Sequence, residues 1–372
     1  MRRAGRLLAI LPLLSFSLAE AADSPYKERR WAVMGTYAEA KVRASRAKRA
    51  EKALEAVRLA FDEADRALSN WSQESALSKL NTAANRGAVN VTDPILRDCL
   101  DAAFEAAEAS DGAFDPTVGP LVRLWGFRPK APRIPGDDEV AAALAVTGWG
   151  KVGREKGTPS IRFPVEGMEL DLGGIGKGCA LDLARERLVA LKAEAGLIDL
   201  GGNLLVFGKP PAGGPWKIGI RDPERKGALA AHLNLEGGIV ATSGQYENAA
   251  VVDGTKIAHI FDARTGRPAD SDVVSATAIA ESGARADAAS TALLVAGSKQ
   301  AEDLLTRLGG VEAVLVVRRG GKTEVLASRS LSGRLLLTDD LADRAGGEIR
   351  FVLPPSESVY ERAERALREL SR

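Results

Sequence analysis

The sequence predicts an α+β chain of mixed sheets with packed helices. Helical periodicity dominates its first third, short strand-like runs alternate with helices afterwards, and no repeat of solenoid length is present. At 372 residues, 45% hydrophobic and 27% charged, it has ample material for a large core. Its 51 basic and 50 acidic residues argue against a protein built mainly to hold nucleic acid or anionic membrane. Two cysteines and two histidines nearly exclude a multi-ligand zinc site, so any metal should be a hard ion held by oxygen.

The chain opens with Arg2, Arg3 and Arg6, then an apolar run from Leu7 to Leu18, then Ala19-Glu20-Ala21. This pattern predicts a signal peptide at 1–21, because the apolar run is well short of the roughly 20 residues a membrane span needs. No cysteine lies near the cleavage site, so a soluble, periplasmic protein that is not a lipoprotein is expected, with residues 22–372 forming the mature domain. A helix is predicted over 45–70, where Leu54, Val57, Phe61, Ala64 and Leu68 form one apolar stripe. A second is predicted over 93–109, capped by Asp93 with Pro94 in its first turn and stopped by Asp111-Gly112. Three prolines make 128–138 a surface loop. Strands are expected at 167–172, 196–207, 216–221, 230–235, 273–279 and 313–317, with helices at 179–194, 286–296 and 358–370. Cys99 and Cys179 can pair in an oxidising compartment, but Cys99 sits on an apolar-rich helix and a buried free thiol is the expectation.

Four clusters carry chemistry. The densest is Asp171-Leu172-Gly173-Gly174-Ile175-Gly176-Lys177-Gly178 ahead of a helix. Its glycines allow close backbone approach, and a helix N-terminus offers N–H groups to an anion. It is neither a dinucleotide fingerprint, since Cys179 stands where the last glycine belongs, nor a P-loop, since Asp171 and Gly178 fill the outer positions. The second cluster, Ala113-Phe114-Asp115-Pro116-Thr117, places a carboxylate beside a proline-fixed backbone, able to meet a ligand or simply to cap a helix. The third carries His259, whose ordinary pKa of about 6.5 suits a general base as well as a structural hydrogen-bonder. In the fourth, Asp287 and Thr291 are four apart and face one side of a helical turn, a pairing that suits Mg²⁺. Asp287 alone would also favour a helix N-terminus.

Taken together, the chain resembles the ApbE family of FAD:protein FMN transferases. The resemblance rests on Met34-Gly35-Thr36, Leu68-Ser69-Asn70-Trp71, Ser75-Ala76-Leu77-Ser78-Lys79-Leu80-Asn81 and the runs at 112–121 and 171–178. It extends through Leu200-Gly201-Gly202-Asn203, Ile218-Gly219-Ile220-Arg221-Asp222-Pro223 and the His259 and Asp287 motifs. It implies a two-lobed flavin transferase fold and FAD contacts at Met34, Trp71, Ala113, Phe114, Asp115, Asp171, Lys177 and Ile260. It further implies Mg²⁺ held by Gly174, Asp287 and Thr291 with a second carbonyl near Ala284, and His259 as base. Three departures stand out: Trp71 where tyrosine is common, Ala258 in place of a first histidine, and Ala263 where proline usually follows the aspartate.

The activity implied is Mg²⁺-dependent transfer of FMN from FAD to a threonine hydroxyl of an acceptor protein, such as a subunit of a membrane redox complex, with release of AMP. Two alternatives stay open: a pyrophosphatase splitting FAD with water, and a non-catalytic FAD-binding module.

Overall fold

A computed structural model describes residues 26–354, apart from 129, 155–157 and 247–248. The expected leader at 1–21 and the terminal helix at 358–370 lie outside the described residues.

Nine strands form the central sheet, in the order Tyr26–Val33, Thr36–Arg43, Ala195–Leu200, Asn203–Phe207, Gly238–Gly244, Val273–Ala280, Val311–Arg319, Lys322–Ser328 and Ile349–Leu353. All pairs are antiparallel except the last, which is parallel, so the sheet is mixed as the sequence predicts. Its two faces bury different cores. In the strand Gly238–Gly244, Ile239 and Ala241 face the helices, whereas Val240 faces a smaller sheet built from Trp216–Arg221, Leu229–Leu235 and Leu335–Leu337. This alternation is the period-two rule of a strand buried on both sides.

The helical layer follows from the apolar stripes. Helix α1 (Ala47–Leu68) buries Leu54, Val57, Phe61, Ala64 and Leu68, the predicted set. Helix α2 (Ala76–Ala84) was not anticipated; the Ser75 side chain caps it by accepting the Ser78 N–H at 3.0 Å. Helix α3 (Pro94–Ala109) begins as expected, with the Asp93 carboxylate accepting from the Leu96 N–H at 2.9 Å. Helices α4 (Gly119–Leu124) and α5 (Asp137–Ala145) build a smaller lobe with the segment 250–268. Its own core joins Leu121, Trp125, Val140, Ile257 and Phe261. The proline-containing loop therefore ends at Gly136, one residue before α5. Helices α6 (Gly176–Ala190) and α7 (Gly283–Ala296) cross beneath the site. Among the described residues, no helix is long and apolar enough to cross a membrane.

Two expectations are corrected. The segment 167–172 is not a strand but an extended loop, because side-chain amides rather than a neighbouring strand satisfy its backbone. Cys99 is not a free thiol. It forms a disulfide with Cys179, since packing of α3 against α6 brings their Cα atoms to 5.8 Å. The bond spans 80 residues of sequence, and its reduction is expected to lower stability by about 2–4 kcal/mol through the freed entropy of the unfolded chain. Denaturant unfolding with and without reductant measures this; coincident curves would show that the staple contributes nothing.

Candidate active site

The glycine turn is held from below by three asparagines. Asn70 and Asn81 each donate to the Leu170 carbonyl at 2.9 Å, and Asn81 accepts from the Leu170 N–H at 2.9 Å. Asn85 donates to the Met168 carbonyl at 3.1 Å. Ser75 donates to the Ser69 carbonyl at 2.6 Å and so ties the end of α1 to the start of α2. The sequence motifs around Asn70 and Asn81 thus act by setting the path of the loop that enters the turn, which Gly176 closes by donating to the Leu172 carbonyl at 2.7 Å.

Past the turn, α6 and α7 meet backbone to backbone. A Cβ at Gly178 would lie 2.0 Å from the Gly283 carbonyl oxygen, and one at Gly283 would lie 2.3 Å from that of Gly178. No side chain fits at either position. Gly178→Ala is expected to cost about 3 kcal/mol, the upper end of the usual overpacking range. Denaturant unfolding checks it, and an unchanged midpoint would mean that the helices can part freely.

This contact delivers the polar groups. Asp182 of α6 caps α7, accepting from Ser282 Oγ and the Gly283 N–H at 2.8 Å and from the Ala284 N–H at 3.0 Å. One turn on, the buried Asp287 accepts from the Gly178 N–H through Oδ2 at 3.0 Å, while Oδ1 faces Lys177 Nζ at 3.8 Å. Thr291 Oγ1 lies 3.2 Å from Ser243 Oγ, which is itself 2.8 Å from Ser290 Oγ. A Cβ built on Gly174 would be 3.2 Å from Thr291 Oγ1 and 3.3 Å from the Phe114 ring. The fold therefore gathers Gly174, Lys177, Asp287, Thr291 and Phe114. It adds Ser243 of the strand Gly238–Gly244, whose role no local pattern could reveal. Ala284 is in the first turn of the same helix.

These groups fit a magnesium ion by their chemistry. Among the described residues no three of His, Cys, Asp or Glu gather around a common point. Here one carboxylate shares a helix face with the Thr291 hydroxyl, a donor set that leaves positions for water or a substrate phosphate. The Lys177 ammonium beside Asp287 marks the same place as one that favours positive charge.

The expected flavin contacts divide between exposed positions and the interior. Met34 occupies the turn between the first two strands in a left-handed conformation, φ 50°, with its Cε 4.0 Å from where a Cβ on Gly176 would sit. Trp71 is 60% exposed, an unusual position for the largest side chain, and Lys130 Nζ stands 5.1 Å from the centre of its ring. Ala113 and Phe114 are buried. Asp115 is buried and hydrogen-bonded within the fold. Its carboxylate accepts from the Thr117 N–H at 2.7 Å, Thr117 Oγ1 at 2.6 Å and the Trp149 N–H at 3.0 Å. Burial pushes its carboxyl above the usual range despite these bonds. Asp171 accepts from the Gly173 N–H at 2.8 Å and from Arg128 Nη1 at 3.3 Å. Arg128, which also pairs with Glu169, was hidden inside what the prolines marked only as a loop.

His259 is carried by the smaller lobe, between the strands Thr255–Ile257 and Phe261–Asp262. Its ring centre is 6.5 Å from that of Phe127. The neighbouring Ile260 packs against the main core, and its carbonyl accepts from the Ala269 N–H at 2.9 Å. Asp262, the other basic group within reach in sequence, is clamped by Arg264, whose Nε and Nη2 both donate at 2.8 Å.

Residues 34–315 match the ApbE family, a span that holds the Met34 turn, the glycine turn, His259 and the Asp287–Thr291 pair. The chain belongs to the ApbE family. It is 33% identical over 291 residues to a protein of Klebsiella pneumoniae named FAD:protein FMN transferase, covering 76% of this chain and 79% of that one. It is 31% identical over 296 residues to the Escherichia coli K12 protein of the same name, covering 77% and 83%. Among solved structures, the ApbE protein of Thermotoga maritima superposes with a TM-score of 0.72 at 33% identity, covering 83% of this chain and 99% of that one. The ApbE flavin transferase of Vibrio cholerae gives 0.73 at 26% identity, covering 83% and 100%. The mixed sheets and packed helices of this chain are thus the fold of the ApbE structures.

Proposed function

We propose that this chain is a Mg²⁺-dependent FAD:protein FMN transferase that moves FMN from FAD to a threonine hydroxyl of an acceptor protein and releases AMP. The observation that carries this reading is the convergence of Lys177, Asp287, Thr291 and Gly174 where two helices start, beside an exposed aromatic rim. Asp287, Thr291 and the Gly174 carbonyl would hold the magnesium ion, which neutralises charge on phosphoryl oxygens when bound. Lys177 adds a fixed cation to the same phosphates from the first turn of α6. Trp71 and Met34 offer ring and thioether surface to the flavin nucleotide. Asp171 is held by Arg128 in one orientation. Asp115, hydrogen-bonded to Thr117 and Trp149, fixes the backbone that carries Ala113 and Phe114.

In the transfer, the threonine hydroxyl gives its proton to His259, and its oxygen forms a bond to the FMN-side phosphorus. The bond from that phosphorus to the bridging oxygen breaks, and AMP leaves with the bridging oxygen. The acceptor gains an FMN phosphodiester. An exported, oxidising location is part of the proposal, and the Cys99–Cys179 disulfide supports it.

The test is to incubate the protein with FAD and Mg²⁺, with and without a threonine-containing acceptor, and to read the acceptor's intact mass together with free AMP. AMP release without acceptor labelling would favour a pyrophosphatase, and neither would favour a binding module. Lys177→Ala is expected to slow transfer on the order of 10²-fold, the usual loss for one fixed electrostatic contact, without unfolding the chain. Unchanged FAD affinity and rate would remove the phosphate role from Lys177.

A further inference from the structure

A cleft of about 490 Å³ opens where the smaller lobe meets the C-terminal end of α7, lined by Trp125, Ile257 and Val295 together with Thr255, Lys256 and Asp270. None of the family-derived contacts lines it. Four observations bear on its occupant. Val295 follows Asp287 and Thr291 at steps of four along α7, so the cleft continues the same helix face about 6 Å beyond Thr291. Its wall consists of the segments on either side of His259, ending at Ile257 and resuming at Asp262. Among the described residues, the strand Thr255–Ile257 pairs only with Ala250–Val252, which leaves its other edge open to an extended chain. The lining carries Lys256 and Arg267 against Asp262 and Asp270, a balance suited to neutral polypeptide and not to a dinucleotide dianion.

We infer that this cleft receives the acceptor, taking a short extended segment of polypeptide along the edge of Thr255–Ile257 so that its threonine reaches His259 from the smaller lobe. The inference rests on the transferase reading above. FAD lies toward Trp71 and Lys177 at the α6 end, and the acceptor enters from the opposite end of the α7 stripe. The volume is in the range of a pocket for a small ligand or a few residues of chain.

The test uses the full chain with Thr255→Trp, which fills the rim, and with Asp270→Lys, which upsets its charge balance; both positions are exposed. Flavin fluorescence reads the Kd for FAD, and acceptor labelling gives KM and kcat. The expected result is a KM for acceptor raised about tenfold or more in both variants, with FAD affinity unchanged. If Thr255→Trp lowers folding stability, Asp270→Lys carries the test alone. Wild-type labelling with unchanged acceptor KM in the folded variants would overturn the cleft assignment while leaving the transferase reading intact. A raised Kd for FAD would also overturn it by placing nucleotide there. Failure of the wild type to label any acceptor removes the transferase reading and this inference with it.

Discussion

Asp287→Asn is expected to reduce Mg²⁺-dependent FMN transfer by about 10³-fold, or some 4 kcal/mol of transition-state stabilisation, within the several kcal/mol that a metal contributes. The substitution keeps size and helix position. Its amide oxygen can still accept from the Gly178 N–H, the bond that Oδ2 now receives at 3.0 Å, so the junction of α6 and α7 should survive. What disappears is the only formal negative charge among the proposed metal donors. The Lys177 ammonium, now 3.8 Å from Oδ1, would face a neutral group and repel an incoming dication more strongly. High Mg²⁺ should therefore rescue the variant only in part. Thr291→Val should be milder, because water can replace one neutral ligand. The measurement is a Mg²⁺ titration of acceptor labelling for the three proteins. A titration curve for Asp287→Asn that overlies wild type would mean Asp287 serves only to fasten α6 to α7.

His259→Ala comes next in size, with transfer expected to fall by roughly 10² to 10⁴ while FAD still binds. The chain has no second histidine beside it, since Ala258 precedes it. Asp262 is a poor substitute, because both carboxylate oxygens are engaged by Arg264. The residue is half-buried and is carried by the smaller lobe, not by α6 or α7, so its loss should leave FAD affinity within about twofold. Paired measurements of FAD binding and acceptor labelling separate the two effects. A normal labelling rate would place the base elsewhere; a collapse in FAD affinity would make His259 a binding residue.

Much of the helical layer was legible because it depends on local periodicity. The α1 stripe and the Asp93 cap are written in consecutive turns, and the Asp287–Thr291 pair is a spacing on one helix. The groups that were missed act across long separations. Arg128 reaches Asp171 from 43 residues away, and Ser243 meets Thr291 across 48. Neither has a neighbour in sequence that betrays its partner. The segment 167–172 misled for a related reason. Its apolar alternation is real and its residues Met168, Leu170 and Leu172 are buried, but asparagines up to a hundred residues earlier replace the partner strand. Asp115 is a mixed case: its contacts with Thr117 lie within its motif, whereas its bond from the Trp149 N–H crosses 34 residues. The disulfide was hidden because the contact between α3 and α6 is tertiary.

The crossing of Gly178 and Gly283 has a consequence for how the molecule meets what it binds. At the crossing point itself main chain meets main chain, with no rotamers to sample and no side chain whose gradual resizing could adjust the gap. The spacing between the lysine-bearing helix and the aspartate-bearing helix is settled once, during folding, and substrate has nothing left there to arrange. Adjustment to a bound molecule is left to the elements that carry side chains: the loops at Trp71 and Lys130 and the smaller lobe that carries His259.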